Sequence, residues 1–286
     1  MIKFGPSGTC DKFKEMGFTA TIQAAPWLKE LGLDLFEYSF GRGVRVGEET
    51  AAKIGAVFAE NGIEMSVHAP YFINLATTDE QKAANNHEYI LSSLKAVRAF
   101  GGKRCVFHPG APAGQTREQA MDVLFRRLDV LMEDVLSQGF GDLWLCPETM
   151  GKKAQLGDLG EIIEMCKRYD MLLPCIDFGH LNARDTGAIK GYDEYKRIVD
   201  RLADGLGDFK TKNMHVHFSK IQYTDKGELR HLTFADDVYG PDYEPMLEVF
   251  RDFKLEPYVA CESAGTQTDD ALTLKKRYFE LCGDAK

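Results

Sequence analysis

A rhythm of short apolar runs alternating with longer stretches of helical period constrains this chain more than any other feature. The runs fall at residues 2–5, 33–38, 64–68, 104–108, 143–148, 172–177, 213–219 and 258–262. Between and after them lie helical stretches near residues 22–31, 48–61, 79–100, 117–138, 158–168, 192–206, 243–253 and 269–281. In the fourth of these, Ala120, Val123, Leu124, Leu128, Leu131 and Val135 recur at steps of three and four residues and make one apolar helical face. Unbroken apolar strands alternating with helices mean parallel strands joined by right-handed crossovers. Eight such units fit a closed (β/α)8 TIM barrel, of the α/β class, better than an open sheet. The 286 residues suit one barrel, and no Pro-, Gly- or Ser-rich linker divides them, so a single domain spanning residues 1–286 is expected.

In such a barrel all strands end on one face, where the chemistry of these folds is placed. Six of the seven histidines gather there. His68 and His108 end the third and fourth strands, His180 follows the sixth, His215 and His217 lie in the seventh, and His231 is in the loop after it. His87, in the polar start of a helix, reads as a solvated surface residue. Glu148 ends the fifth strand, Asp177 the sixth and Glu262 the eighth. The sixth strand shows the pattern most clearly: Leu172-Leu-Pro-Cys-Ile-Asp177-Phe-Gly-His180 carries a carboxylate out of the core, with Gly179 supplying a turn and an imidazole three residues on. One Asp-x-x-His pair is more often a turn cap beside an ordinary histidine. Nine potential ligands at one mouth are a different matter, because uncompensated carboxylates and imidazoles in one cleft would be expensive to bury and divalent cations would remove that expense. His215 and His217 are two apart and point the same way, so either or both are candidates.

Charge and composition narrow the alternatives. A net charge of −9 and a pI near 5.4 argue against a general polyanion binder, though not against a locally basic or metal-lined cleft. No apolar stretch is long enough to span a bilayer, and the start lacks the apolar segment of a signal peptide, so a cytoplasmic protein without membrane partners is expected. The seven cysteines are odd in number, and Cys105, Cys146, Cys175 and Cys261 sit in apolar runs, which reads as reduced core thiols. There is no Cys-x-x-Cys zinc pattern.

The motifs His68-Ala-Pro-Tyr71-Phe-Ile-Asn-Leu-Ala76, Phe107-His108-Pro-Gly110, Pro147-Glu148-Thr149, Cys175-Ile-Asp177-Phe-Gly-His180 and the Glu262 strand occur in the order and rough spacing of endonuclease IV. The chain thus resembles that family of metal-dependent apurinic/apyrimidinic (AP) endonucleases, within the xylose-isomerase-like barrels. The resemblance implies two or three zinc ions, with Mn2+ as the alternative, and a monomer that incises double-stranded DNA 5′ to abasic sites by a metal-bound hydroxide. It also implies roles. His68 and His108 would hold one ion, with Glu148 bridging to a second. Asp177, Glu262 and His215 or His217 would complete the second, and His180 and His231 would hold the third. Tyr71 would enter the duplex, and Arg42 or Arg45 would supply the basic partner. Two departures stand out. The family has an Asp-x-His pair after the seventh strand, whereas Gly227-Glu228-Leu229-Arg230-His231 puts Leu229 at the Asp position. Either Glu228 substitutes or the third ion is weakened. The seventh strand reads His215-Val-His217-Phe-Ser219-Lys220 where the family has Asn and Asp after a single His.

A second reading is a sugar isomerase or epimerase with one divalent ion on Glu148, Asp177, Glu262 and a seventh-strand histidine, in which Glu148 and Glu262 would be the catalytic acid and base. The acidic charge favours it. His68, His108, His180 and His231 favour the nuclease, since a mononuclear site has no use for four further imidazoles. A barrel that binds metal and ligand without turnover is a third, weaker reading.

Overall fold

The computed structural model describes residues 1–283. The chain opens with β1 (Lys3–Pro6), α1 (Asp11–Glu15), α2 (Ala24–Leu31), β2 (Leu35–Ser39) and α3 (Glu48–Glu60). It continues through β3 (Glu64–His68), α4 (Glu80–Ala99), β4 (Arg104–Phe107), α5 (Arg117–Ser137), β5 (Trp144–Pro147) and α6 (Leu159–Arg168). Next come β6 (Cys175–Asp177), α7 (Phe178–Arg184), α8 (Tyr192–Lys212) and β7 (His215–Phe218). A hairpin of β8 (Ile221–Thr224) and β9 (Gly227–His231) precedes α9 (Glu244–Asp252), β10 (Tyr258–Cys261) and α10 (Gln267–Leu281).

Eight of these strands close a parallel barrel. β2, β3, β4 and β5 pair in sequence, as do β6, β7, β10 and β1. The bridge Ser7–Glu37 joins β1 to β2, and the bridges Leu145–Leu172 and Glu148–Cys175 join β5 to β6. Strands such as β4 and β7 are buried at every residue, because helices cover the outside and side chains fill the inside. The cysteines of the apolar runs are free and buried. Among the described residues no helix is long and apolar enough to cross a membrane.

The expected strands are all present, with informative differences at their ends. The sixth begins at Cys175 rather than Leu172, because Pro174 has no N–H to give the ladder and interrupts it. His108 lies one residue beyond β4. The helix expected over residues 192–206 runs on to Lys212 past a break at Gly207, whose φ of 74° only glycine adopts freely. Three elements carry no periodic signal and were not expected: α1, α7 and the β8–β9 hairpin, which makes His231 a strand residue rather than a loop residue. Gly179 does not make a turn. It lies in the first turn of α7, where a Cβ would come within 2.4 Å of the Ser219 carbonyl oxygen, so glycine is needed for close packing. His87 is not freely solvated; its Nε2 meets Asp134 Oδ2 at 2.9 Å between α4 and α5.

Barrel closure at the β1–β2 seam also depends on a glycine. A Cβ on Gly5 would lie 1.7 Å from the Leu35 carbonyl oxygen. Gly5→Ala is therefore expected to destabilise the fold by about 3 kcal/mol, as an overpacked core does. Urea unfolding checks this: a midpoint unchanged from wild type would contradict the tight seam.

Candidate metal centre

Strand direction does most of the assembly. His68 and Asp177 are the last residues of β3 and β6, His217 lies in β7, and His108, Glu148 and Glu262 each follow a strand by one residue. His180 comes from the first turn of α7, and Glu228 and His231 from β9. Together they line or underlie one cleft at the C-terminal ends of the barrel strands, with Ser39, Tyr71, Lys152 and Gln155 also on its wall.

Within the cleft, donor atoms fall into groups whose members all lie within 4.8 Å of one another. One is His68, His108 and Glu148; a second is Glu148, Asp177, His217 and Glu262; a third is His180, Glu228 and His231; His68, His217 and Glu262 form a set that overlaps the first two, and Cys175, His215 and His217 a deeper one. Glu148 belongs to two groups and divides its oxygens between them. Its Oε2 is 3.1 Å from both His68 Nε2 and His108 Nε2. Its Oε1 is 3.1 Å from His217 Nδ1 and 3.2 Å from His180 Nδ1. Burial alone would raise the Glu148 carboxyl, but the charge of His217 and hydrogen bonds from His108, His180 and His217 hold it well below the usual range. Burial would likewise lower His68, yet its contact with Glu148 lifts the imidazole to about 9.

Backbone and hydroxyl acceptors aim the rings. His68 Nδ1 is 2.7 Å from the Ala69 carbonyl, His108 Nδ1 3.0 Å from that of Tyr71, His180 Nδ1 2.9 Å from that of Thr149, and His231 Nδ1 2.8 Å from Ser219 Oγ. Where an N–H is kept on these oxygens, Nε2 of each of the four rings faces the cleft and is the atom that would give its lone pair to a cation in place of a proton. His217 is turned the other way, with Nδ1 towards Glu148.

The chemistry of the site fits divalent cations at Asp177. Its Oδ1 caps α7 by accepting the His180 backbone N–H at 2.7 Å, which leaves the second oxygen out of the cap. Its Oδ2 is fully buried and has no hydrogen-bond partner. Burial, aided by the nearby Glu148 and Glu262 charges, raises the carboxyl in spite of His180. A lone carboxylate oxygen facing imidazole nitrogens and other carboxylates is what a bound Zn2+ or Mn2+ would satisfy.

The third group shows which of Glu228 and Leu229 faces His180 and His231. Tyr223 pairs with Glu228 and Gln222 with Arg230, so Leu229 is the extra residue of a β-bulge. Residues three apart in a regular strand face opposite sides; the bulge restores Glu228 and His231 to the same side and leaves Leu229 exposed. Glu228 Oε2 then lies 3.5 Å from His180 Nε2, and Oε1 4.0 Å from His231 Nε2. Gly151 makes room, since a Cβ there would sit 2.8 Å from Glu228 Oε2 and 2.9 Å from His180 Cδ2.

Three expected residues stand apart from the donor groups of the cleft. His215 is also fully buried, but it packs a layer deeper beside Glu37 and Cys175, so of the two seventh-strand histidines it is His217 that joins Glu148, Asp177 and Glu262. Arg42 and Arg45 are exposed on the loop after β2 and do not line the cleft, although their neighbour Gly41 does. Tyr71 does line it and is largely exposed. Sequence reasoning missed Glu37, a fully buried glutamate inside the barrel. The one acid inside the stretch Leu35–Ser39 was the available signal.

The chain belongs to the xylose isomerase-like TIM barrel family, whose model matches residues 25–278. An uncharacterised protein of Methanocaldococcus jannaschii is 33% identical over 285 residues, 98% of each chain. Probable endonuclease 4 of Mycoplasma pneumoniae is 29% identical over 183 residues, and that of Bacillus subtilis 28% over 168. These matches span 62% and 56% of this chain, and 60% and 54% of those relatives. The fold is shared with a D-tagatose 3-epimerase-like protein (TM-score 0.73, 20% identity, 99% of both chains). It is shared also with endonuclease IV from Thermus thermophilus (TM-score 0.65, 16% identity, 99% of this chain and 100% of that one). The motif resemblance thus has relatives of the same name, while the barrel alone is common to proteins named for either chemistry.

Substitutions separate the groups. Asp177→Asn retains a good helix cap but loses the anionic Oδ2, so the folded protein should bind about one zinc fewer at saturation. Glu228→Ala should also remove about one ion, and Leu229→Ala none. Native mass spectrometry of zinc-loaded protein reads this directly; Leu229→Ala losing an ion while Glu228→Ala keeps it would overturn the bulge assignment.

Proposed function

We propose that the protein is a zinc-dependent phosphodiester hydrolase that incises double-stranded DNA on the 5′ side of abasic sites. The observation that carries this reading is that three donor groups meet in one cleft, two of them sharing Glu148. Divalent ions held there would lower the pKa of water to give a nucleophile at neutral pH and would neutralise charge on the phosphate and the leaving oxygen. The chain's own residues do the rest. Glu148, rigid between imidazoles, fixes the spacing of the first two groups. Glu262, whose side chain keeps 17% exposure to the cleft, is placed to accept a proton from the attacking water. His180, Glu228 and His231 form the wall against which a phosphate oxygen would rest.

The rim supports a nucleic-acid partner. Tyr71 and Phe72 are exposed on the loop after β3, where aromatic faces can take the place of a missing base. Lys152 lines the cleft, and the adjoining Lys153 is tied by its backbone N–H to the Lys226 carbonyl of the hairpin, so three exposed lysines gather at one edge. Such local charge is what a protein of net charge −9 needs to hold a phosphate backbone. On this reading the whole barrel acts as one domain, a monomer in the cytoplasm.

A second reading has support in the four donors Glu148, Asp177, His217 and Glu262, which alone would serve a one-metal sugar isomerase or epimerase with Glu148 and Glu262 as acid and base. The acidic surface and the likeness to the D-tagatose 3-epimerase-like protein favour it. It leaves the first and third groups without a task.

Incision of a duplex oligonucleotide carrying one synthetic abasic site decides between them. Zinc-loaded protein is expected to cut 5′ to the site, chelation to stop it, and His108→Ala to lower the rate by about a hundredfold. Bound zinc without incision would favour the isomerase reading.

A further inference from the structure

Beneath the metal centre the barrel holds a buried glutamate that no donor group of the cleft includes. Glu37, the third residue of β2, has no exposed surface. Its Oε1 lies 3.2 Å from Ser7 Oγ and 2.9 Å from His217 Nε2. Its Oε2 lies 3.0 Å from both Ser66 Oγ and His215 Nε2. Residues from β3, β7 and the end of β1 thus surround one carboxylate in the barrel interior. Two serine hydroxyls offer hydrogen bonds but no counter-charge, and an unpaired carboxylate at such depth would be expensive.

The other four cleft histidines anchor Nδ1 on a carbonyl or a hydroxyl and present Nε2. His217 has no carbonyl or hydroxyl on Nδ1, which lies 3.1 Å from Glu148 and 3.6 Å from Glu262, and a carboxylate lies behind its Nε2. A carboxylate behind a metal-ligating imidazole fixes the tautomer and makes the ring a stronger donor.

We propose that Glu37 is a positioning residue of the metal centre: it holds His217 with Nε2 protonated, so that Nδ1 takes the cation shared with Glu148, Asp177 and Glu262. Neither imidazole Nε2 is aligned with Glu37 as a full hydrogen bond, so the contacts are ones of proximity and charge. The inference rests on the metal centre of the proposed function but not on its DNA substrate.

The test is zinc titration against a chromophoric chelator for wild type, Glu37→Gln and Glu37→Leu, with unfolding of the chelated proteins followed in parallel. Gln keeps the shape and an acceptor but loses the charge; Leu loses both. One ion is expected to bind about tenfold more weakly in Glu37→Gln and about a hundredfold more weakly in Glu37→Leu, while the remaining ions bind as in wild type. A merely structural Glu37 would shift the unfolding midpoint and leave zinc affinity alone, and that result would overturn the proposal. The 15N resonances of the His217 ring in zinc-loaded wild type give a second readout that needs no variant. Nδ1 bound with Nε2 protonated is expected, and Nε2 bound would overturn the proposal. Wild type that binds no zinc would sink the metal centre and Glu37's role together, whereas zinc binding without DNA incision would sink the nuclease reading alone.

Discussion

The mouth of the barrel depends on one carboxylate that water does not reach. Glu148 follows β5 directly and has no exposed surface, and imidazoles from His68, His108, His180 and His217 lie within 3.2 Å of its two oxygens. In a medium of low polarity such a charge persists only if positive charge surrounds it. Histidines supply it when protonated, and divalent cations would supply it when those rings act as neutral ligands. The same ring of side chains therefore suits both conditions. Metal binding is then linked to stability, because a cation that binds the folded cleft and not the unfolded chain shifts the folding equilibrium.

Around that carboxylate the chain uses backbone devices more than side-chain bulk. Parallel strands deliver their last residues to one face, which brings donors from β3 to β10 together without any long loop. Asp177 caps α7 with one oxygen and keeps the other free. Gly151 and Gly179 lack the Cβ that would block Glu228 and the Ser219 carbonyl respectively. The Leu229 bulge turns β9 by one residue so that Glu228 and His231 share a side. Each device acts through the backbone of a helix or strand, which holds a donor more firmly than a loop.

Much of this was legible in the sequence because of how a barrel buries its strands. With both faces covered, strands such as β5 and β10 read as continuous apolar runs, and a His or Glu closing such a run is conspicuous. The positions of His68, His108, Glu148, Asp177 and Glu262 follow from that alone. The β8–β9 hairpin was not legible, since its polar residues follow neither an apolar run nor a clean alternation, and the bulge that decides between Glu228 and Leu229 is a matter of register. Choosing between His215 and His217 needed depth along the strand, which a two-residue spacing does not carry. Glu37 escaped notice because a single acid in Leu-Phe-Glu-Tyr-Ser resembles the solvent-facing residue of an ordinary strand. Only closure of the barrel turns it inward.

If three donor groups joined through Glu148 hold separate cations, a crystal structure of zinc-loaded protein with anomalous data at the zinc edge will show them individually. Three peaks are expected, two of them bridged by Glu148 and the third between His180, Glu228 and His231. A single peak among Glu148, Asp177, His217 and Glu262, with the other imidazoles free, would contradict this arrangement.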